Sequence, residues 1–177
     1  LGDDYLLQAP EAAGLYQYPG GEAYYKYLIR RETSLDLTPD QIHEIGLQAL
    51  KGINMEMQAI RQGLGFTGSA ADFHRKLRDD KRLYASSPEE VEQRYLTYVD
   101  RIEPHLPEYF SQQPQKPYGV KRASPVAELS MTYGYYRRGA PGETGYYYYN
   151  GSNLDSRSMI SAGFLIYHEL APGHHFH

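Results

Sequence analysis

The side chains best suited to chemistry stand at the end of the chain, in the run His168-Glu169-Leu170-Ala171-Pro172-Gly173-His174-His175. Imidazole nitrogens and carboxylates are typical zinc ligands, and a carboxylate beside a metal-bound water can act as a general base. In the common zinc-hydrolase motif, His-Glu-x-x-His, two histidines four residues apart share one face of a helix. The run therefore predicts a metal-dependent hydrolase in which Glu169 is the catalytic base.

The histidine spacing departs from that motif, because Pro172 stands four residues after His168. At about 100° per residue, His174 would lie roughly 120° away from the face of His168 on a straight helix. His175 would share that face, but about 10 Å further along the helix axis. A straight helix therefore does not easily place two of these imidazoles around one ion.

The inserted residues predict how the spacing is restored. Pro172 lacks the N–H that would bond to the carbonyl of His168, and its ring clashes there, so the helix must kink or bulge. Gly173 permits whatever backbone the turn requires. A bulge that absorbs two residues would make His168 and His174 the metal ligands. It would leave His175 as a supporting residue, a substrate contact or an alternative ligand.

The first 117 residues are predicted to be mainly helical. Thr38-Pro39-Asp40-Gln41 has the residue types of a helix start with a capping box, and Gly63 and Gly65 would end that helix. A second helix is predicted from Ser69, and a third opens at Ser87-Pro88-Glu89-Glu90. Apolar residues recur at steps of three or four at Ile42, Ile45, Ala49, Ile53, Met57 and Ile60, and at Val91, Tyr95, Tyr98 and Ile102. Both patterns predict amphipathic helices.

The later residues predict a different local structure. Residues 118–150 are rich in Tyr, Val and Thr and punctuated by glycine, which predicts short strands and tight turns, with residues 146–149 as the clearest strand. Residues 156–170 are apolar nearly all round, which is typical of a buried helix. The predicted fold class is mainly α with a small β element (α+β). One domain portion, 1–177, would comprise a helical part (1–117), strands and turns (118–155) and the active-site helix with its motif (156–177).

Charge and composition exclude several classes of partner. The 18 basic and 22 acidic residues give a net charge of −4 without a long run of either sign, so nucleic acid and anionic membranes are not expected partners. No apolar stretch approaches the roughly 20 residues needed to span a bilayer. The absence of cysteine rules out disulfides and thiolate ligands, and is compatible with either the cytoplasm or the periplasm.

The motif and several other segments resemble a known family, the mostly bacterial domain of unknown function 885, which is grouped with gluzincin-like metallopeptidases by a His-Glu-x-x-Pro-Gly-His-His motif. The likeness extends to residues 25–30, 37–47, 117–120 and 146–150. It implies a zincin-like metallopeptidase fold with the active-site helix at the C-terminal end, and an edge strand along which an extended peptide or other amide substrate could lie. It also implies Zn²⁺ as the cofactor, and it slightly favours a periplasmic or secreted lipoprotein over a cytoplasmic protein.

The resemblance further implies a third zinc ligand, a Glu in a Glu-Gly-Trp-Ala-like segment downstream. These 177 residues contain no such segment, begin without Met and stop within the motif, so we expect a fragment whose partner is the remainder of the same polypeptide. With two protein ligands it is expected to bind zinc weakly and to be inactive alone. Where the family continues with Leu-Gln, Phe176 and His177 follow here, which leaves the ligand positions intact.

Other interpretations of the same residues stay open. A non-catalytic domain could hold a structural metal, or none, and bind peptides or glycans through a tyrosine-rich groove. A hydrolase acting on another amide or an ester would need the same motif. A polar helix end whose histidines favour the C-terminal dipole is the simplest alternative, although Glu169 would be unfavourable there.

Further polar residues have less specific predictions. Arg137 and Arg138 could bind a substrate carboxylate through a planar fork, or could simply be solvated. One tyrosine of residues 133–149 could donate a hydrogen bond to a reacting carbonyl. The isolated histidines His43, His74 and His105 are expected to be surface or packing residues.

Overall fold

A computed structural model of the chain describes residues 2–9, 11 and 13–177, apart from the side chains of Asp3 and Leu6. It contains helices and one small three-stranded sheet, so the predicted mainly helical α+β fold is confirmed. The chain divides into two compact units, Leu1–Ala70 and Ala71–His177, and the predicted change from helices to strands and turns after residue 117 lies inside the second unit. No helix in the described ranges combines the length and apolar character that a membrane span requires.

The first unit is helical. Its elements are α1 (Gly2–Gln8), a 3-10 turn (Gly14–Gln17), α2 (Gly21–Thr33) and α3 (Pro39–Gly63). The predicted capping box of α3 is confirmed: the Gln41 N–H donates to the Thr38 Oγ1 (3.2 Å), and the Thr38 N–H donates to the Gln41 Oε1 (2.8 Å). Helix α2 lacks the capping residues that predict the other helices, because its N-cap is Gly20, which has no capping side chain.

The apolar face of α3 is exposed. No residue of this helix is buried, and Ile45, Ile53 and Ile60 keep 54%, 51% and 61% of their surface accessible. A face of this kind usually packs against another apolar surface. The prediction is therefore confirmed for the helix and its ends, whereas its apolar face is not part of a core within the described residues.

The second unit contains the sheet. β1 (Tyr118–Arg122), β2 (Gly134–Arg137) and β3 (Gly145–Tyr149) lie in the order β1-β3-β2, with β1 parallel and β2 antiparallel to β3. The predicted short strands, including the one at residues 146–149, are confirmed. The Asn150 N–H donates to the Tyr133 carbonyl (2.8 Å). Because inward pairing alternates along an antiparallel strand, the N–H of Tyr136 points away from β3, off the free edge of β2.

Helix α5 packs with α8 and the sheet in the core of this unit. The helices are α4 (Ala70–Asp79), α5 (Pro88–Ile102), α6 (Leu106–Tyr109), α7 (Pro125–Glu128) and α8 (Ala162–Glu169), with 3-10 turns at Lys81–Leu83, Glu103–His105 and His174–Phe176. Val91, Tyr95 and Val99 form the buried stripe of α5. The Tyr95 ring meets the Tyr147 ring of β3 edge to face, with centroids 5.1 Å apart. The core thus fixes α8 relative to the sheet.

The motif-bearing helix α8 is shorter than predicted. Residues 156–161, expected to be helical, precede the helix as turns at 156 and 160–161 with irregular backbone between them. The Ser156 N–H donates to the Asn153 carbonyl (3.1 Å). The prediction is wrong there because Asn and Ser side chains favour turns over helix, and Asn153 has a positive φ of 50°. The prediction that this helix is buried on all sides is also wrong: Ile166 is fully buried, whereas Phe164 is 75% exposed.

Candidate metal centre

The backbone bulges where α8 ends. The helix stops at Glu169, and the cis peptide bond between Ala171 and Pro172 lies in the turn that follows. The Gly173 N–H donates to the Tyr167 carbonyl (2.9 Å), a span of six residues in place of the helical four. The predicted bulge that absorbs two residues is therefore present, and it returns the chain to the end of the helix.

Gly173 allows this return because the backbone lies in direct contact with the helix end. A Cβ at this position would stand 1.7 Å from the His168 carbonyl oxygen. Its φ of −58° is not left-handed, but its ψ of −122° lies outside the helical and extended regions that other residues adopt. Gly173 therefore supplies both the space and the backbone conformation that the turn requires, as the sequence predicts.

The bulge brings His168, Glu169 and His174 together. One potential ligand atom from each lies within 4.8 Å of the others, and the two imidazole centroids are 4.9 Å apart. Donor atoms at about 2.1 Å from a shared ion would be at most about 4.2 Å apart, so small side-chain rotations suffice to bind one. Two imidazoles and a carboxylate fit a divalent metal of the zinc type. Within the described part of the chain, this is the one group of three such residues that could hold an ion.

Both imidazoles of this group are accessible. His168 and His174 are exposed, and neither has a hydrogen bond among the described residues, so their ring nitrogens are free to bind. The Phe164 ring stacks beside that of His168 with centroids 6.2 Å apart, and it is itself exposed. The site is therefore open on the side that these rings face.

Glu169 is half-buried and is held by the sheet. Its Oε2 accepts a hydrogen bond from the Tyr136 N–H at 3.0 Å, the group that points off the free edge of β2. A carboxylate at a helix C-terminus is opposed by the helix dipole, and the amide partly offsets that cost. Sequence reasoning did not identify Tyr136, since this contact joins residues 33 positions apart.

His175 lies on the sheet side of the turn. It is 6% exposed, and its Nε2 lies 3.0 Å from the Lys116 carbonyl oxygen while its Nδ1 lies 2.8 Å from the Tyr136 hydroxyl. A carbonyl only accepts, so Nε2 carries the hydrogen and Nδ1 accepts from the Tyr136 O–H. Burial lowers the pKa of His175, which favours this neutral form. Both nitrogens are occupied by protein groups, an arrangement that suits a supporting residue rather than an alternative ligand.

The remaining predicted residues lie outside the cluster. Arg137 and Arg138 are exposed and have no ion pair within the described ranges, so they are available to an anion but show no built site. His105 pairs with Glu108 through a 3.2 Å contact at the surface. His43 and His74 are not among the grouped potential ligands.

The fold and the site define an α+β protein with a histidine and carboxylate cluster at the end of one helix. The whole chain, residues 1–177, matches the family described as "Bacterial protein of unknown function (DUF885)". The chain belongs to this family, so the family predicted from the sequence is confirmed, whereas the grouping with gluzincin-like metallopeptidases stays a prediction.

One solved structure gives a similar result at the level of fold. "The crystal structure of the putative lipoprotein from Colwellia psychrerythraea" is similar to this chain with a TM-score of 0.84 and 27% sequence identity. The match covers 98% of this chain and 31% of the solved one, so the chain spans about a third of that protein's length. No curated protein matches the chain.

Proposed function

We propose that this chain carries the metal-binding part of a zinc-dependent hydrolase of zincin type, and that the bond it hydrolyses is a peptide bond. The observation that carries the proposal is the convergence of His168, Glu169 and His174, which their sequence spacing alone would keep apart. The cluster is open to solvent through two exposed imidazoles, as a substrate requires.

The residues of the cluster have separate roles. His168 and His174 would hold the ion through their ring nitrogens. Zinc, when bound, supplies Lewis acidity that polarises a carbonyl and acidifies water. Glu169 takes a proton from the attacking water and delivers it to the leaving amine. Its Oε2 is occupied by the Tyr136 N–H, while its Oε1 has no hydrogen-bond partner among the described residues and is free for this transfer.

A third ligand completes the site in this proposal. Glu169 is needed as the base, and no further ligating group accompanies the cluster within the described residues. We therefore assign the third ligand to a part of the polypeptide outside these 177 residues. The match covers 31% of the solved relative, so that protein has further residues that could include such a ligand. Its description as a "putative lipoprotein" supports an exported location for the present protein as well.

A non-catalytic peptide- or glycan-binding domain is the second candidate. It is favoured by tyrosines on the face of the sheet away from the core: Tyr135 is 43% exposed, and its ring stacks on that of Tyr148 with centroids 5.6 Å apart. A structural zinc would have four protein ligands, whereas a catalytic zinc keeps one position for water. A zinc-bound structure of the entire polypeptide separates the two candidates, and a panel of peptides, other amides and esters identifies the substrate class.

Metal content is the first test of the proposal. The entire polypeptide containing this chain, purified without a histidine tag, is expected to hold about one zinc per chain by elemental analysis, in keeping with one ligand set. His168→Ala and His174→Ala should each lose it. His177→Ala is the matched control, because this exposed histidine follows His174 by three residues but is not part of the cluster. Wild-type protein without metal, even after zinc is supplied, would support the non-catalytic candidate.

Removal of the base tests the chemistry separately. Glu169→Gln should keep zinc but lower peptide hydrolysis about 10²- to 10⁴-fold, since the amide cannot take up the proton. Glu143→Gln, in the exposed loop between β2 and β3, is the control and should be as active as wild type. Full activity in Glu169→Gln contradicts the assignment of the base.

A further inference from the structure

We propose that Tyr136 and His175 are positioning residues for Glu169, and that together they hold the edge strand so that its amide keeps the carboxylate directed into the metal site. This inference rests on the proposed function, because it gives the pair a role toward the proposed base. It differs from a role for His175 in supporting the metal ligands, which is what adjacency to His174 alone suggests.

Tyr136 connects Glu169 to His175 through its backbone and its side chain. Its backbone N–H donates to Glu169 Oε2 at 3.0 Å, and its side-chain hydroxyl donates to His175 Nδ1 at 2.8 Å. The ladder to β3 constrains only one side of β2, since β2 is an edge strand. The hydroxyl contact therefore constrains β2 from a second direction, next to the amide that binds the carboxylate.

His175 in turn connects Tyr136 to β1, the strand at the other edge of the sheet. Its Nε2–H donates to the carbonyl of Lys116, two residues before β1 begins. Its ring also lies 4.7 Å from the Tyr118 ring of β1 and 5.8 Å from the Tyr136 ring of β2, centroid to centroid. Because β3 lies between those strands, His175 bridges the two edges of the sheet. The edge amide is thus connected to the part of the sheet held by the core.

The turn after α8 explains why the motif has two adjacent histidines. His174 joins the accessible cluster, while His175 is buried against the sheet. The close approach of Gly173 to the helix end fixes the turn that carries both of them. One short segment therefore supplies a metal ligand and the support of the base, and a displacement of that segment would disturb both.

Tyr136→Phe is the sharpest test, since it removes the hydroxyl and keeps the ring and the backbone N–H. In the entire zinc-loaded polypeptide we expect kcat to fall roughly threefold to tenfold, the effect of one hydrogen bond, with KM and zinc content unchanged. Tyr109→Phe is the matched control, because this tyrosine lies on α6 of the same unit, is 77% exposed and is not part of the sheet or the cluster. It should leave kcat unchanged.

A double-mutant cycle tests whether the two residues act through one chain of contacts. If they do, the combination of Tyr136→Phe with His175→Asn lowers kcat no further than the more damaging single change. Additive losses would overturn the coupling. Tyr136→Phe alone keeps the inference testable if His175→Asn fails to fold.

The deciding measurement does not depend on activity. In the ¹⁵N-labelled, metal-free chain, Glu169→Gln should shift the amide resonance of residue 136 and speed its hydrogen exchange, because the amide loses its charged acceptor. Tyr136→Phe should move that resonance in the same direction, and Tyr109→Phe should not. If Tyr136→Phe changes neither the amide resonance of residue 136 nor kcat, the inference is overturned. If the wild-type protein hydrolyses no amide or ester, the proposed function is overturned instead. The amide resonance of residue 136 then still shows whether Tyr136 and His175 position Glu169.

Discussion

Helices α3 and α5 begin with closely related sequences but have different surroundings. Both have a capping residue followed by proline, Thr38-Pro39 and Ser87-Pro88, and both have an amphipathic pattern. In α5 the apolar stripe is buried, with Val91 and Tyr95 each 2% exposed, whereas no residue of α3 is buried. Capping is local, so the sequence specifies it directly, while burial needs an apolar surface supplied from elsewhere in the fold. The same sequence signal therefore predicts a helix well and its energetic contribution poorly.

The largest expected effect lies in the buried unit. Ile166 on α8 is fully buried in the core with α5 and the sheet, so Ile166→Ala should destabilise the second unit by about 2–5 kcal/mol. Denaturant unfolding followed by tyrosine near-ultraviolet circular dichroism measures this loss, since the chain has no tryptophan. Ile166→Val serves as the graded control at about 0.5–1.5 kcal/mol. Equal stability of Ile166→Ala and wild type would contradict the packing of α8.

The next largest effect is on the pH dependence of stability. The residue at the third helical position is the neutral Gln41 in α3 but the ionisable Glu90 in α5, so pH should affect the start of α5 and not that of α3. The Glu90 carboxylate accepts hydrogen bonds from the Ser86 hydroxyl, the Ser86 N–H and Arg94, which hold the pKa of Glu90 at about 2, below its ordinary value of 4.5. A lowered folded-state pKa stabilises the fold above the ordinary value, and that contribution is lost as the pH falls toward the lower one.

The second unit should therefore lose part of its stability between pH 4.5 and about 2, and Glu90→Gln should remove the share due to Glu90. Thermal unfolding of both proteins across this range measures the difference. The neutral Gln41 gives α3 no such term at its cap. Identical pH dependence of Glu90→Gln and wild type would show that the cap does not couple to folding.

The comparison also shows which parts of the site a sequence can specify. The ligand pair and the bulge follow from local chemistry, because proline and glycine in the run His168 to His175 forbid a continuous helix. The start of α8 is wrong in the prediction, since apolar residues near Met159 suggest helix while Asn153 and its polar neighbours form turns. The pattern of apolar residues gives no information on this competition between turn and helix.

The support of Glu169 depends on register between distant elements. The Tyr136 N–H reaches the carboxylate only because β2 pairs antiparallel with β3, with Tyr136 opposite Tyr147, and because α5 holds α8 against that sheet. A shift of one residue in that pairing would turn this N–H inward and remove the contact. Sequence reasoning named the tyrosine-rich region but not the residue, since no local pattern encodes this register.

The smallest expected effect lies on α3. Ile53 is 51% exposed, so Ile53→Ala in the 177-residue chain should change the free energy of unfolding of the first unit by less than about 0.5 kcal/mol. The higher helix propensity of alanine offsets part of the apolar contact that is lost. Val99→Ala, on the buried stripe of α5, is the contrasting control and should cost clearly more. Amide hydrogen exchange resolves the two units separately. A loss of about 2 kcal/mol or more from Ile53→Ala would mean that the face of α3 is covered in solution, and the contrast between the two helices would then disappear.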